Sequence, residues 1–267
     1  MSAPPAISKR LRSRVNRVVN GALIPLVSRR WRLIHVIEYP KCGGSWVRNM
    51  LAEYTQTRYF LDENNPYVRR GDVIKAHSLF TRALHRPIIV LRDPRDLFVS
   101  FYYYELYFLG CAGNARSQRY FTHDPSRGLR DDFAAYLAAR LRHLTHPRFS
   151  YGQFVRSWLD RPGTCVVRYE DLLTAAEAQM TRIIRFLGLT VAPQRLHETV
   201  ERHRFENRTG RKPGEADPTH FERKGIAGDW RNHFNAASCD LIRAHEGRTL
   251  AMLGYEPDDG WIERFLE

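Results

Sequence analysis

Tyr39-Pro40-Lys41-Cys42-Gly43-Gly44-Ser45-Trp46 follows the apolar run Leu33-Ile34-His35-Val36-Ile37. It precedes Val47-Arg48-Asn49-Met50-Leu51-Ala52-Glu53-Tyr54, whose apolar residues recur at helical spacing. The order is therefore strand, tight glycine turn, helix N-terminus. Backbone N–H groups in such a turn, with the helix dipole behind them, make an anion site. Gly43 and Gly44 let the backbone approach the anion closely, and Lys41 adds a full positive charge. In an ordinary Walker A loop the lysine follows the glycines. Here it precedes them.

The rest of the chain extends this pattern. Candidate strands are Leu33–Tyr39, Val73–Ala76, Pro87–Leu91 and Thr164–Tyr169. Candidate helices are Trp46–Thr55, Pro94–Phe108, Phe133–Leu144, Gln153–Leu159, Ala175–Leu187 and Asn235–Leu253. Short apolar strands alternating with helices predict an α/β fold: a single three-layer domain with a central parallel sheet and a P-loop-like strand-loop-helix. Ligands of such sheets sit beyond the carboxyl ends of the strands, where the glycine turn leaves the first strand. Leu109–Arg130 and Arg204–Phe221 read as long loops, a length that usually serves as a lid or binding loop.

The chain has 267 residues, enough for one large domain with a substantial core. Its 42 Lys and Arg against 29 Asp and Glu give a net charge of +13, so the partner is expected to be anionic. Cys42, Cys111, Cys165 and Cys239 form no CxxC pair, which argues against zinc and a disulfide framework and favours a reducing compartment. The N-terminus lacks signal-peptide order and no run approaches the ~20 apolar residues of a membrane span, so the expected location is the cytoplasm. Residues 1–32 form a basic N-terminal helical segment ahead of a domain over 33–267; Ile7, Leu11, Val15, Val18 and Val19 fall at helical spacing and Pro25 is expected to end the helix. The apolar stripe is read as docking on the domain, with peripheral contact to anionic membrane as the alternative.

Four further stretches carry charge at element ends. Lys75-Ala76-His77 closes the second strand. Arg92-Asp93-Pro94-Arg95-Asp96 leads from a buried strand into a helix containing Ser100; Asp93 suits an N-cap and Arg92 with Ser100 could share one phosphate. Arg168-Tyr169-Glu170-Asp171-Leu172 ends the fourth strand, and Arg223-Lys224-Gly225-Ile226-Ala227-Gly228-Asp229-Trp230 sets two cations beside a glycine.

Taken in order, these segments resemble the motifs of sulfotransferases that use 3′-phosphoadenosine 5′-phosphosulfate (PAPS): PKxGxxW, KxH, RDPRDxxVSxY, YEDL and RKGxxGDW, spanning residues 39 to 232. The resemblance implies sulfuryl transfer from PAPS to a hydroxyl or amine, leaving adenosine 3′,5′-bisphosphate (PAP), with no metal. His77 would be the general base, Lys41 would stabilise the bridging oxygen and Lys75 would neutralise the sulfuryl oxygens. The cofactor would lie on Lys41, Cys42, Gly43, Gly44, Ser45 and Trp46, with Arg92, Ser100, Arg223, Lys224 and Gly225 at the 3′-phosphate. Tyr169 would meet the adenine edge, while Trp46, Phe221 and Phe205 would stack on the ring. The acceptor would be a small molecule, sugar, lipid or peptide, and no nucleic acid is expected. The competing enzyme reading is a P-loop phosphotransferase, a kinase, which would want a lysine after the glycines and an Asp for magnesium at a strand end.

Two departures from the family pattern stand out. The loop reads Cys-Gly-Gly-Ser where the cytosolic enzymes read Ser-Gly-Thr-Thr, so Gly44 supplies no hydroxyl and Ser45 keeps one. Cys42, beside Lys41 at a helix N-terminus, is placed for a lowered pKa and redox sensitivity. Arg231–Asp240 carries Asn235 and Ala236 where the family's dimer motif has Thr-Val, so that dimer is not expected.

Overall fold

Strand β1, Ile34–Glu38, is buried along its whole length, as a central strand covered on both faces must be. In the computed structural model, which describes residues 19, 21–60, 67–108, 121 and 123–267, a helix α1 over 21–27 precedes it. After β1 come α2 (Gly44–Tyr54), β2 (Tyr59–Phe60), β3 (Val73–Ala76), β4 (Ile88–Leu91) and α3 (Pro94–Tyr103). Then follow α4 (Leu129–Arg142), α5 (Tyr151–Trp158), β5 (Cys165–Arg168) and α6 (Tyr169–Phe186). The chain closes with α7 (Pro193–Arg202), α8 (Phe205–Thr209), α9 (Ala236–Met252) and α10 (Trp261–Leu266).

The five strands form one sheet in the order β2-β3-β1-β4-β5, every pairing parallel. This is the expected α/β architecture with a central parallel sheet. β1 lies between β3 and β4, so successive connections leave it on opposite sides and open a crevice beyond its carboxyl end. Val36 pairs with Lys75, Glu38 with Val90, and Leu91 with Arg168, so the segments carrying Lys41, His77, Arg92 and Tyr169 all emerge at one edge. The larger cluster of buried apolar residues among the described residues runs from Ile34 to Ile262 and supports that edge.

Local chemistry accounts for the helix starts. Asp93 caps α3 as expected, accepting from the Arg95 amide at 2.8 Å, with Pro94 in the first turn. Ser150 and Gln153 form a capping box, so α5 begins at Tyr151 rather than at Gln153. Asp131 and Asp132 occupy the first turn of α4, which starts four residues before the expected Phe133.

Several expectations are corrected. Tyr169 is not the end of a strand but the first residue of α6, which carries Glu170 and Asp171 in its first turn and kinks at Ala175. The helix expected over Pro94–Phe108 is α-helical only to Tyr103, and Tyr104–Phe108 continues in π geometry. Pro25 does not end α1, which continues to residue 27. Docking overrides the proline: Leu23, Ile24, Val27 and Trp31 pack on buried Leu33, Val68 and Ile74. The rest of the basic segment, residues 1–18 and 20, lies outside the described residues, as do 109–120 and 122 of the first long loop. The second long loop contains α8.

Candidate active site

At the carboxyl edge of the sheet the chain encloses a cavity of about 390 Å³. Lys41, Gly43, Ser45, Trp46, Lys75, His77, Arg92, Ser100, Tyr169, Phe205, Phe221, Arg223, Lys224 and Gly225 all line it. Cys42 and Gly44 do not.

The turn earns its glycines. Gly43 caps α2 with φ of 97°, and a Cβ there would lie 2.7 Å from the Tyr169 ring. A Cβ on Gly44 would lie 2.6 Å from the Glu38 carboxyl carbon. The Cys42 side chain is fully buried in the core, where burial and the neighbouring Glu38 charge push its thiol well up. The expected lowering of its pKa is thus reversed, because the thiol faces apolar packing rather than Lys41.

Lys41 itself has φ of 75°, a left-handed conformation that costs a non-glycine residue on the order of 1–2 kcal/mol. Its ammonium sits 4.0 Å from the Phe221 ring centre and 4.3 Å from that of Tyr104. Burial brings its pKa down to about 7, and the charges of Arg92, Lys75 and Arg223 push the same way against Glu38. Phe221, expected to stack on adenine, therefore contacts Lys41.

The cations on the other wall are placed by long-range contacts. Arg92 donates to the Lys41 carbonyl at 3.2 Å and stacks over Tyr169 at 4.1 Å. Asp96 of α3 accepts the amides of Gly228 and Trp230 at 2.6 and 2.9 Å. This clamp draws the Arg223–Trp230 segment onto α3. Asp229 then pairs with both Arg223 and Lys224, the latter at 2.6 Å. Phe205 packs on Gly225, where a Cβ would come within 2.5 Å of its ring.

His77 is fixed by a hydrogen bond between Nδ1 and the Glu38 carbonyl at 2.9 Å. A carbonyl only accepts, so Nδ1 carries the proton and Nε2 keeps the lone pair. Burial lowers the His77 pKa, as does Lys75, while Glu38 opposes. The ring is neutral near pH 7 and able to accept a proton. Lys75 lines the cavity, yet its ammonium pairs with the buried Glu38 carboxylate at 2.9 Å. Its expected task of neutralising sulfuryl oxygens therefore meets a resident competitor.

Beyond His77 the cavity continues among groups the sequence reading did not single out. His146 packs edge-on to His77 with ring centres 5.7 Å apart. Arg140 donates to the His146 carbonyl at 2.9 Å, and Glu105 accepts the Tyr136 hydroxyl at 2.6 Å. Of the missed residues only Glu38 carried a signal, a lone charge at the end of an apolar strand. Asp93, the strand-end carboxylate a magnesium site would use, is held by Arg95 at 2.8 Å.

The donor set suits a polyanionic nucleotide. Lys41, Arg92, Arg223 and Lys224 supply charge around one cavity, and Ser45 and Ser100 supply hydroxyls. The buried Arg92 Nε and Trp46 Nε1 have no hydrogen-bond partner among the described residues.

Comparison with known proteins agrees with that chemistry. Residues 74–254 match the family model for the sulfotransferase domain. Human sulfotransferase 2B1 is 26% identical over 275 aligned positions, covering 85% of this chain and 68% of the relative. Guinea-pig sulfotransferase 1E1 (Cavia porcellus) is 25% identical, covering 81% and 84%. The crystal structure of mouse sulfotransferase SULT7A1 complexed with PAP superposes with a TM-score of 0.63 at 18% identity, covering 90% of this chain and 93% of the other.

Proposed function

The chain belongs to the sulfotransferase-domain family, and from that premise we propose that it transfers a sulfuryl group from PAPS to a hydroxyl or amine, in line, with His77 as general base. The observation that carries this reading is the convergence of Lys41, Arg92, Arg223 and Lys224 and a neutral, oriented imidazole on one cavity. Lys41, Ser45 and the amides of the glycine turn would hold the phosphosulfate, and Arg92, Ser100, Arg223 and Lys224 the 3′-phosphate. Trp46, Tyr169 and Phe205 form the aromatic wall suited to adenine. When bound, PAPS supplies the activated sulfuryl group.

His77 Nε2 takes the proton of the acceptor as its oxygen or nitrogen attacks, a role that suits a base neutral at working pH. Lys41 stabilises charge on the departing bridging oxygen, and burial strengthens that interaction. The surrounding aromatic rings limit water at the ammonium. The acceptor, a small molecule, sugar, lipid or peptide, would enter past His146, Tyr136 and Glu105.

Thermal-shift titration tests the reading: PAP should raise the melting temperature without magnesium, and ATP or oligonucleotides should do little. Labelled-sulfate transfer from PAPS into cell extracts then reports the acceptor class. Stabilisation by magnesium-ATP alone would instead support the phosphotransferase reading.

A further inference from the structure

Glu38 touches three parts of the site at once. Its Oε2 accepts the Gly44 amide at 2.5 Å, its Oε1 accepts Lys75 at 2.9 Å, and its backbone carbonyl accepts His77 Nδ1 at 2.9 Å. The side chain is almost fully buried. A carboxylate beside the first amide of a helix is favourable in itself, because it meets an unpaired N–H and the positive end of the dipole. In an anion-binding loop it also takes one amide from the ligand and brings a like charge near it. Lys75 cancels that charge, and Gly44 makes the room, since any Cβ there would strike the carboxyl group at 2.6 Å.

We propose that Glu38 is a positioning residue for sulfuryl transfer: it fills the space a side chain at position 44 would occupy, anchors Lys75 as its counter-ion and fixes the tautomer of His77 through its backbone carbonyl, so that Glu38 and Gly44 function as one exchangeable pair. This rests on the reading of the site as a PAPS site. The loop is closed from behind by the last side chain of the strand that feeds it, instead of by a hydroxyl of its own. Lys75 balances Glu38 before any donor enters.

A coupled-variant experiment on the full chain tests this, reading PAP affinity by calorimetry and His77 titration by imidazole NMR. Gly44→Thr places a branched side chain against Glu38 and should weaken PAP binding by roughly tenfold or more. Glu38→Thr in the Gly44→Thr background removes the obstruction and should return affinity to within about threefold of wild type. Glu38→Gln keeps the shape and removes the charge. His77 is faced by Glu38 from β1, by Lys75 from its own strand and by His146 from the turn after α4, and this variant changes the charge of Glu38 alone. Its titration midpoint should therefore move down.

Equal damage by Gly44→Thr in both backgrounds overturns the pairing. An unmoved His77 midpoint in Glu38→Gln, with PAP affinity within about twofold of wild type, overturns the positioning role. The NMR arm needs no nucleotide and judges Glu38 even if Gly44→Thr fails to fold. Wild-type chain that binds no PAP would count against the cofactor reading, whereas wild-type binding without the coupling would count against Glu38 alone.

Discussion

Lys224 Nζ lies 2.6 Å from Oδ1 of Asp229, and the same carboxylate also receives Arg223. The two cations proposed above to hold the 3′-phosphate are thus held in place by a resident anion. Burial pushes the Asp229 carboxyl up, but hydrogen bonds from Lys224 and Arg223 outweigh it and hold the group far below the ordinary carboxylate range. With its folded pKa depressed, Asp229 contributes stability that is present above the unfolded value near 3.8 and is lost only as pH falls through the folded one. Asp229→Asn should lower stability by roughly 3 kcal/mol, because both cations lose their partner. PAP should then raise the melting temperature more in the variant than in wild type, its phosphate replacing the lost charge. Equal PAP shifts in the two proteins would show that Arg223 and Lys224 do not meet the nucleotide.

Lys41, with its pKa brought down to about 7, should couple nucleotide binding to protons. An anion favours the protonated amine, so binding at pH 8 should take up a proton and affinity should fall as pH rises above about 7. Calorimetry of PAP binding in buffers of different ionisation enthalpy reads this directly. Lys41→Met should abolish the buffer dependence, and a wild-type enthalpy independent of buffer would refute the coupling.

His77→Ala should cost transfer roughly 10²- to 10⁴-fold and leave PAP binding nearly intact, because the proposed mechanism assigns the ring to the acceptor rather than to the nucleotide. The acid limb of kcat/KM in wild type should fall below the ordinary imidazole value of 6.5, in the direction burial drives it. Activity rises as pH climbs through that pKa and then levels. Near-wild-type turnover in the variant would remove His77 as the base.

If the proposed 3′-phosphate site is right, Arg92→Ala and Arg223→Ala should each weaken PAP binding by roughly 2 to 4 kcal/mol, since each would remove a charge-assisted partner of a phosphate. Both should also lose preference for PAPS over adenosine 5′-phosphosulfate. Arg92→Ala should have the broader effect, as Arg92 also holds the Lys41 carbonyl at 3.2 Å. Discrimination that survives in both variants would place the 3′-phosphate elsewhere.

The segment before β1 should act on stability. Ser28 Oγ lies 2.7 Å from His35 Nε2 in the core, and burial, then His85, brings the His35 pKa down to about 4. Ser28→Ala leaves that ring unpaired and should cost about 1–3 kcal/mol. The folded value lies below the unfolded one, so the neutral ring's contribution is full above about 6.5 and is lost as pH falls toward 4. Deleting residues 1–30 should lower the melting temperature and leave binding to anionic vesicles low. Salt-sensitive vesicle binding that vanishes on deletion, with stability unchanged, would reverse the docking reading.

How much of this was legible follows from sequence distance. The anion turn, the Asp93 cap, the order of the motifs and the parallel sheet were written in contacts a few residues long: a glycine where φ is positive, a side chain bonding its own helix, an apolar run of strand length. Those signals fixed the architecture and brought Lys41, His77 and Arg92 to one edge. The misread elements failed where tertiary packing outweighed local preference, as when the core docked α1 through Pro25 or buried the Cys42 thiol. What only the folded chain decided is the internal electrostatics of the site. Asp96 reaches the Gly228 amide across 132 residues, and Glu38 reaches Lys75 across 37. No periodicity reports which buried carboxylate will claim which cation. That assignment follows from charges removed from water needing partners, and the partners are set by the three-dimensional path of the chain.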